Sequence, residues 1–216
     1  MAMPDGPIER RQRARMVRDH LTSCDDPRVV AAMAALPRHD FVPADARGRA
    51  YDDGALPIGS GVTISQPRIV ALMLAALRLK PGDRVLDIGC GSGYVAALLA
   101  DLVSPGGSVE AIERIAALVP TAAQRLQSRS VTVRHGDGHA GLPSRAPFDA
   151  IHVAAAAPTF PIALLDQLAL GGRMVMPIGP DEHGQELWLV ERGRGGITQR
   201  NLGQVVFVPF LHGMDW

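Results

Sequence analysis

Residues 85–100 read VLDIGCGSGYVAALLA, and the order of residue types in this stretch decides the fold. An apolar run closed by Ile88 meets three glycines, Gly89, Gly91 and Gly93, after which Tyr94–Leu102 has the composition of a buried helix. A strand that feeds a helix through a glycine loop is the ligand-binding unit of an α/β sheet, placed at the sheet's carboxyl edge. Glycine suits that turn because it bends sharply and leaves no Cβ between backbone and ligand.

Outward from the loop the same rhythm continues. Strands are expected at Arg84–Ile88, Ser108–Glu113, Val131–His135, Phe148–Ala155 and, after a Gly171–Gly172 turn, at GRMVMPIG; helices are expected at Ile115–Gln127 and Pro161–Leu170. ELWLVER and GQVVFVPF follow with no long helix between them and read as a terminal hairpin. Upstream, Ile8–Leu21 and Pro27–Leu36 are helical, the second with Asp26 as its cap and Pro27 in its first turn. GSGVTISQPRIV, residues 59–70, is a tight loop running into a helix over Ile69–Leu79. The fold class is therefore α/β: a Rossmann-like, doubly wound, mostly parallel sheet with N-terminal helices and an antiparallel addition at the end. We read 1–216 as a single domain, with 1–80 carrying helices and the loop and 81–216 the sheet.

The loop spacing is G-x-G-x-G, and Asp87 stands just before it. A dinucleotide would set its pyrophosphate at the following helix N-terminus, where that carboxylate opposes it. S-adenosyl-L-methionine carries no phosphate, and its ammonium suits Asp87, directly or through water. Glu113 ends the next strand at the position for ribose hydroxyls. Asp137, in HGDGHAG after the third strand, is placed for the adenine amino group, although a turn-former between two glycines is an equally physical reading of that residue alone.

Other classes gain nothing from composition. The 22 basic and 22 acidic residues cancel, which removes the electrostatic argument for a nucleic-acid or membrane partner. Arg10, Arg11, Arg13, Arg15 and Arg18 crowd the N-terminus, but Glu9 and Asp19 interrupt them, as on a solvated helix face. Cys24 and Cys90 make no disulfide framework, and no leader or long apolar span is evident, so a reducing cytoplasm is expected. His135 and His139 are four apart, yet Gly136 and Gly138 argue against the helix that would bring them together, and no metal is expected.

Taken together, DPRVVAAMAALPRHDFVP, YDDGALPIGSGVTISQP, VLDIGCGSGY, VEAIERI, RHGDGHAGLPSRAPFDAIHVAAAAP and VVFVPF resemble the protein-L-isoaspartate O-methyltransferase family over nearly the whole chain. The glycine loop is common to many methyltransferases; LPIGSGVTISQP ahead of it and HGDG after it are far more specific. The resemblance implies S-adenosyl-L-methionine as cofactor, held by Asp87, Gly89, Gly91, Gly93, Glu113, Arg114, Asp137 and Gly138. It implies isoaspartyl-containing proteins and peptides as partners, met by Thr63, Ile64, Gln66, Pro67 and Val208, with Ser65 as the catalytic residue and a monomer as the working unit. It also implies that the methyl ester collapses to a succinimide whose hydrolysis partly restores aspartate. Ser60, Ala154 and Phe210 depart from the family pattern, at positions expected to flank the peptide groove.

The chemistry fits such a loop. A carboxylate nucleophile is already ionised at neutral pH, so it needs alignment and no general base. Hydroxyls and backbone N–H groups can orient it without the ground-state hold of a fixed cation. Ser65 as a plain helix N-cap before Pro67 is an equally sound physical reading. Three further readings of the chain stand beside repair: a same-fold O-methyltransferase for one peptide or small-molecule carboxylate, a non-catalytic adenosyl-ligand-binding protein, and a nicotinamide oxidoreductase, which the loop spacing and Asp87 disfavour.

Overall fold

The computed structural model describes residues 5–180 and 184–214. Two helices open it, α1 (Pro7–His20) and α2 (Pro27–Ala35); the second starts as expected, with Asp26 accepting the Arg28 N–H and Pro27 in its first turn. Short 3-10 turns at Arg38–Phe41 and Ala44–Arg49 lead to a small hairpin, β1 (Leu56–Gly59) and β2 (Val62–Ile64). The stretch expected as a bare loop is thus a two-stranded ribbon. Ser60 and Gly61, both with positive φ, form its two-residue turn, the conformation whose twist matches paired strands.

Helix α3 (Pro67–Leu77) carries the chain to β3 (Arg84–Ile88), followed by α4 (Tyr94–Val103), β4 (Ser108–Glu113), α5 (Val119–Leu126), β5 (Val131–His135) and β6 (Phe148–Val153). A short α6 (Ile162–Asp166) precedes β7 (Leu168–Ile178), β8 (Gln185–Gly193) and β9 (Gly196–Val205). Among the described residues the main sheet has seven strands in the order β5-β4-β3-β6-β7-β8-β9. The pairs from β5 to β7 are parallel, and β8 and β9 add antiparallel. The expected class is what the chain adopts. Its central strands are apolar on both faces because both are covered. Val85 packs with Leu98, Leu99, Leu74 and Met33 on one side, and Leu86 with Ile151, Met174 and Leu164 on the other.

Most boundaries fall within two residues of the sequence reading, and three regions differ by more. Helix α5 begins at Val119, not Ile115, because the Ile115 N–H is taken by Glu113 Oε1 at 2.9 Å and Pro120 belongs to a first helical turn. The helix expected over Pro161–Leu170 is only α6; β7 starts at Leu168 and runs through Gly171 and Gly172, where a turn was expected. The last strand, β9, starts upstream of GQVVFVPF and takes in only its first three residues, which leaves Val206–Phe210 extended and pinned to the end of β6. There the Ala156 N–H donates to the Val208 carbonyl (2.9 Å) and the Phe210 N–H to the Ala156 carbonyl (2.8 Å).

Candidate active site

The strand order turns back at β3, with β4 on one side and β6 on the other. That switch point is where an open α/β sheet leaves a crevice beyond its carboxyl edge. A cavity of about 380 Å³ lies there, within the roughly 300–1,000 Å³ usual for small-ligand sites. Gly89 and Gly91 form its floor, Glu113, Arg114 and Ile115 one side, Gly136 and Gly138 the far end, and Ala154 and Ala155 the opposite side. The hairpin tip (Ser60–Thr63) and the segment Val208–Leu211 close over it.

Gly89 (φ 81°) and Gly91 (φ 53°) both lie in the left-handed region, so the loop needs glycine for its shape as well as for clearance. Glu113 is 4% exposed. Its Oε2 accepts the Gly91 N–H at 2.7 Å and its Oε1 the Ile115 N–H, so one carboxylate braces the loop while presenting its remaining lone pairs to the cavity. Gly138 is demanded by packing: a Cβ there would collide with Ile88 Cγ2 and press on Phe210. Arg114 lines the cavity, and its Nε donates to the Gly213 carbonyl at 3.2 Å.

Three expected cofactor residues are not on the wall. Asp87 is wholly buried beneath the loop; the register that sets Asp87 beside His152 brings His152 Nδ1 to Asp87 Oδ1 at 2.7 Å, and Oδ2 has no hydrogen-bond partner among the described residues. Asp87 thus lies beneath the loop and does not line the cavity. Gly93 (φ 87°) starts α4 and packs on Leu126 and Ala122. Asp137 sits at the rim. Its Oδ1 accepts the His139 N–H and its Oδ2 the Gly213 N–H, each at 2.8 Å. Burial pushes this carboxyl upward, but the N–H donors of His139 and Gly213 outweigh it and hold it below the ordinary carboxylate range. Its partners are therefore the backbone of its own turn and of the segment around Gly213, where the adenine amino group was expected.

A second, larger groove of about 620 Å³ lies on the other side of the hairpin, lined by Thr63, Ser65, Gln66, Arg68, Ile69 and the extended segment Val205–Val208. Thr63, Ala154 and Val208 line both cavities, so the two share a wall only a side chain thick. Ser65 faces the groove, and its hydroxyl has no hydrogen-bond partner among the described residues. The N-cap reading of Ser65 does not hold: the cap position is Gln66, and no side chain caps α3. Among the described residues Arg68 is the one cation on the groove lining, and Asp53 pairs with it at 3.4 Å. Ile64 and Pro67, expected to meet substrate, instead point inward at 4% exposure and in the buried first turn of α3, because β2 alternates and Pro67 starts the helix.

The departures Ser60 and Phe210 line the smaller cavity, not the peptide groove as expected, and Ala154 lines both. The hairpin tip, the apolar walls Ile88, Ile112 and Ile115, and the His152 partner of Asp87 were missed by sequence reasoning. The described residues Asp137, His139 and His212 also cluster within ligand distance of one another. Here the His139 and His212 rings stack at 3.4 Å, so their in-plane lone pairs run side by side rather than converging on an ion.

The glycine floor, the acidic side and the lack, among the described residues, of a phosphate-type cation cluster fit S-adenosyl-L-methionine better than a dinucleotide. Comparison with known proteins gives the same direction. The family described as Protein-L-isoaspartate(D-aspartate) O-methyltransferase matches residues 12–215. A protein-L-isoaspartate O-methyltransferase of Methylorubrum extorquens (strain PA1) is 52% identical over 206 residues, which cover 94% of this chain and 89% of that protein. Its counterpart in Methanopyrus kandleri is 48% identical over 215 residues, with coverage of 96% and 94%. A solved structure of a putative protein-L-isoaspartate O-methyltransferase from Plasmodium falciparum, in complex with S-adenosyl-L-homocysteine, superposes with a TM-score of 0.80 at 27% identity, over 94% of this chain and 98% of that one. The chain belongs to the protein-L-isoaspartate(D-aspartate) O-methyltransferase family.

Proposed function

We propose that this chain methylates the α-carboxylate of L-isoaspartyl residues in damaged proteins, with S-adenosyl-L-methionine as methyl donor. The single observation that carries the reading is the wall shared by the two cavities at Thr63, Ala154 and Val208. Two ligands held on either side of so thin a partition meet at one point. When bound, the cofactor supplies a sulfonium methyl group; Gly89, Gly91, Glu113, Arg114 and Gly138 would hold it. The chain's task on the other side is to present a carboxylate oxygen at roughly 3–3.5 Å, in line, without binding it too tightly beforehand. Ser65, with its free hydroxyl, orients that oxygen, helped by Thr63, while the cation nearest by, Arg68, is already neutralised by Asp53.

Gly184 and Gln204 also line a neighbouring hollow with Phe160, Trp188 and Glu186, and two adjoining hollows suit a peptide better than a small carboxylic acid. A monomer acting in the cytoplasm on isoaspartyl proteins, as one domain over 1–216, completes the reading; two free thiols and zero net charge support it and give no handle to nucleic acid or membrane. Among the described residues no helix is long and apolar enough to cross a membrane.

The test is methylation of a panel of isoaspartyl peptides against matched aspartyl controls, with labelled cofactor. Base-labile label on the isoaspartyl members alone is expected. Label confined to one unrelated carboxylic acid would favour a dedicated O-methyltransferase, and cofactor binding without turnover a non-catalytic protein. A second expected result concerns the cofactor. Glu113→Gln keeps an acceptor but loses the charge, which should weaken S-adenosyl-L-methionine about tenfold in calorimetric titration. Unchanged affinity would remove Glu113 from the site.

A further inference from the structure

The PRHDFVP stretch that breaks the helical pattern after α2 holds a side chain with no role in the chemistry above. Arg38 is 0% exposed and, among the described residues, bonds to no carboxylate, with Asp53 acting on it only at a distance. An unpaired charge is costly to bury, and where only volume is needed an apolar side chain serves better. Two of its nitrogens donate to backbone carbonyls, and Nη1 has no hydrogen-bond partner among the described residues. Nε donates to Ala50 at 2.7 Å, and Nη2 donates to Ser65 itself at 2.8 Å. Its Cζ lies 4.9 Å from the ring centre of Tyr94, the first residue of α4 and the next residue after Gly93 of the glycine loop. Phe41, three residues on, meets that ring edge to face with the ring centres 5.4 Å apart. From the opposite flank Asp53 holds the same loop, accepting from Gln66 Nε2 and the Arg68 N–H. One rigid planar fork therefore ties the Ser65 peptide to the helix that carries the cofactor loop, which a lysine's single ammonium could not do.

We propose that Arg38 is a positioning residue for methyl transfer, fixing the Ser65 peptide against α4 and so setting where the Ser65 hydroxyl meets the substrate carboxylate relative to the cofactor cavity. The inference rests on the reading of Ser65 given above. Removing the fork frees the loop to drift on a scale that matters for in-line attack while leaving the cofactor cavity intact, since Arg38 does not line it.

The test compares full-length Arg38→Met, Arg38→Lys, Ser65→Ala and the double variant Arg38→Met/Ser65→Ala below their melting temperatures. Single-turnover rates on an isoaspartyl peptide are read beside S-adenosyl-L-methionine affinity. Arg38→Met is expected to slow turnover about tenfold with cofactor affinity held within about twofold, Arg38→Lys to recover part of the rate, and the double variant to be no slower than Ser65→Ala. A purely structural Arg38 predicts an earlier melt with a full rate on the folded fraction, and that result would overturn the inference. So would a double variant whose loss is the product of the two single losses. If Arg38→Met does not fold, Arg38→Lys carries the test, with a reduced rate at unchanged cofactor affinity supporting the inference and a full rate overturning it. A slow Ser65→Ala beside a full-rate Arg38→Met sinks the Arg38 inference alone, whereas a full-rate Ser65→Ala sinks the reading of Ser65 and this inference with it.

Discussion

Gly91→Val is expected to abolish S-adenosyl-L-methionine binding while leaving a folded chain. Three effects act at this one position. Gly91 sits at φ 53°, which costs an ordinary residue about 1–2 kcal/mol and a β-branched one more. A Cβ built there lies 3.2 Å from Ile58 Cδ1, so even alanine presses on β1, and the valine methyls must project into the cavity or into the hairpin. The Gly91 N–H also holds Glu113 Oε2 at 2.7 Å, so a shifted loop carries the carboxylate with it. Steric occupation of the floor together with displacement of Glu113 should lower affinity by more than about a hundredfold, roughly 2.7 kcal/mol. Gly91→Ala should fall between, because the far end of Ile58 is flexible and can yield. Circular dichroism shows whether the fold survives, and calorimetry reads the binding. A folded valine variant with normal affinity would mean that the glycines serve the turn alone and the cofactor lies elsewhere.

Much of this was legible in the chain. The apolar runs from Val85 onward alternate with helices at spacings that allow little but a parallel sheet, and the glycine loop marks its ligand edge. Five of the eight expected cofactor residues line the cavity, and Ser65, Thr63, Gln66 and Val208 line the groove. What was not legible depended on partners distant in sequence. Asp87 reads as a ligand residue until His152, 65 positions on, is seen to take one of its oxygens. Asp137 reads as an adenine contact until the backbone of Gly213, 76 positions on, occupies it. Ile64 and Pro67 belong to a motif, but a motif does not say which way each side chain turns; the alternation of β2 and the first turn of α3 decide that. Nothing in the sequence marks Arg38 as buried, because burying an arginine is the exception, and only the carbonyls it serves reveal why it is inside.

Ser65→Ala should lower methylation of an isoaspartyl peptide on the order of a hundredfold while cofactor affinity and melting temperature stay nearly where they were. The structure sharpens this expectation. Had Ser65 capped α3, its loss would cost about 1 kcal/mol of stability with turnover largely intact. The cap belongs to Gln66, whose side chain is turned to Asp53, so the Ser65 hydroxyl supports no helix end that its removal could fray. The hydroxyl is free, faces the groove, and stands two residues from Thr63 on the shared wall. Its removal takes away one donor and lets the carboxylate rotate out of line, an error of the size that positioning effects punish most. No new pH dependence should appear near neutrality, because the nucleophile titrates near 4 and serine exchanges no proton in the step. Rate and melt measured on one preparation decide the matter. An alanine variant that keeps its rate would shift the orienting role to Thr63, where Thr63→Val would then show the loss. The same variant with a slow rate and a rate-controlling pKa near 7 would instead reveal a proton transfer that a substrate carboxylate does not need.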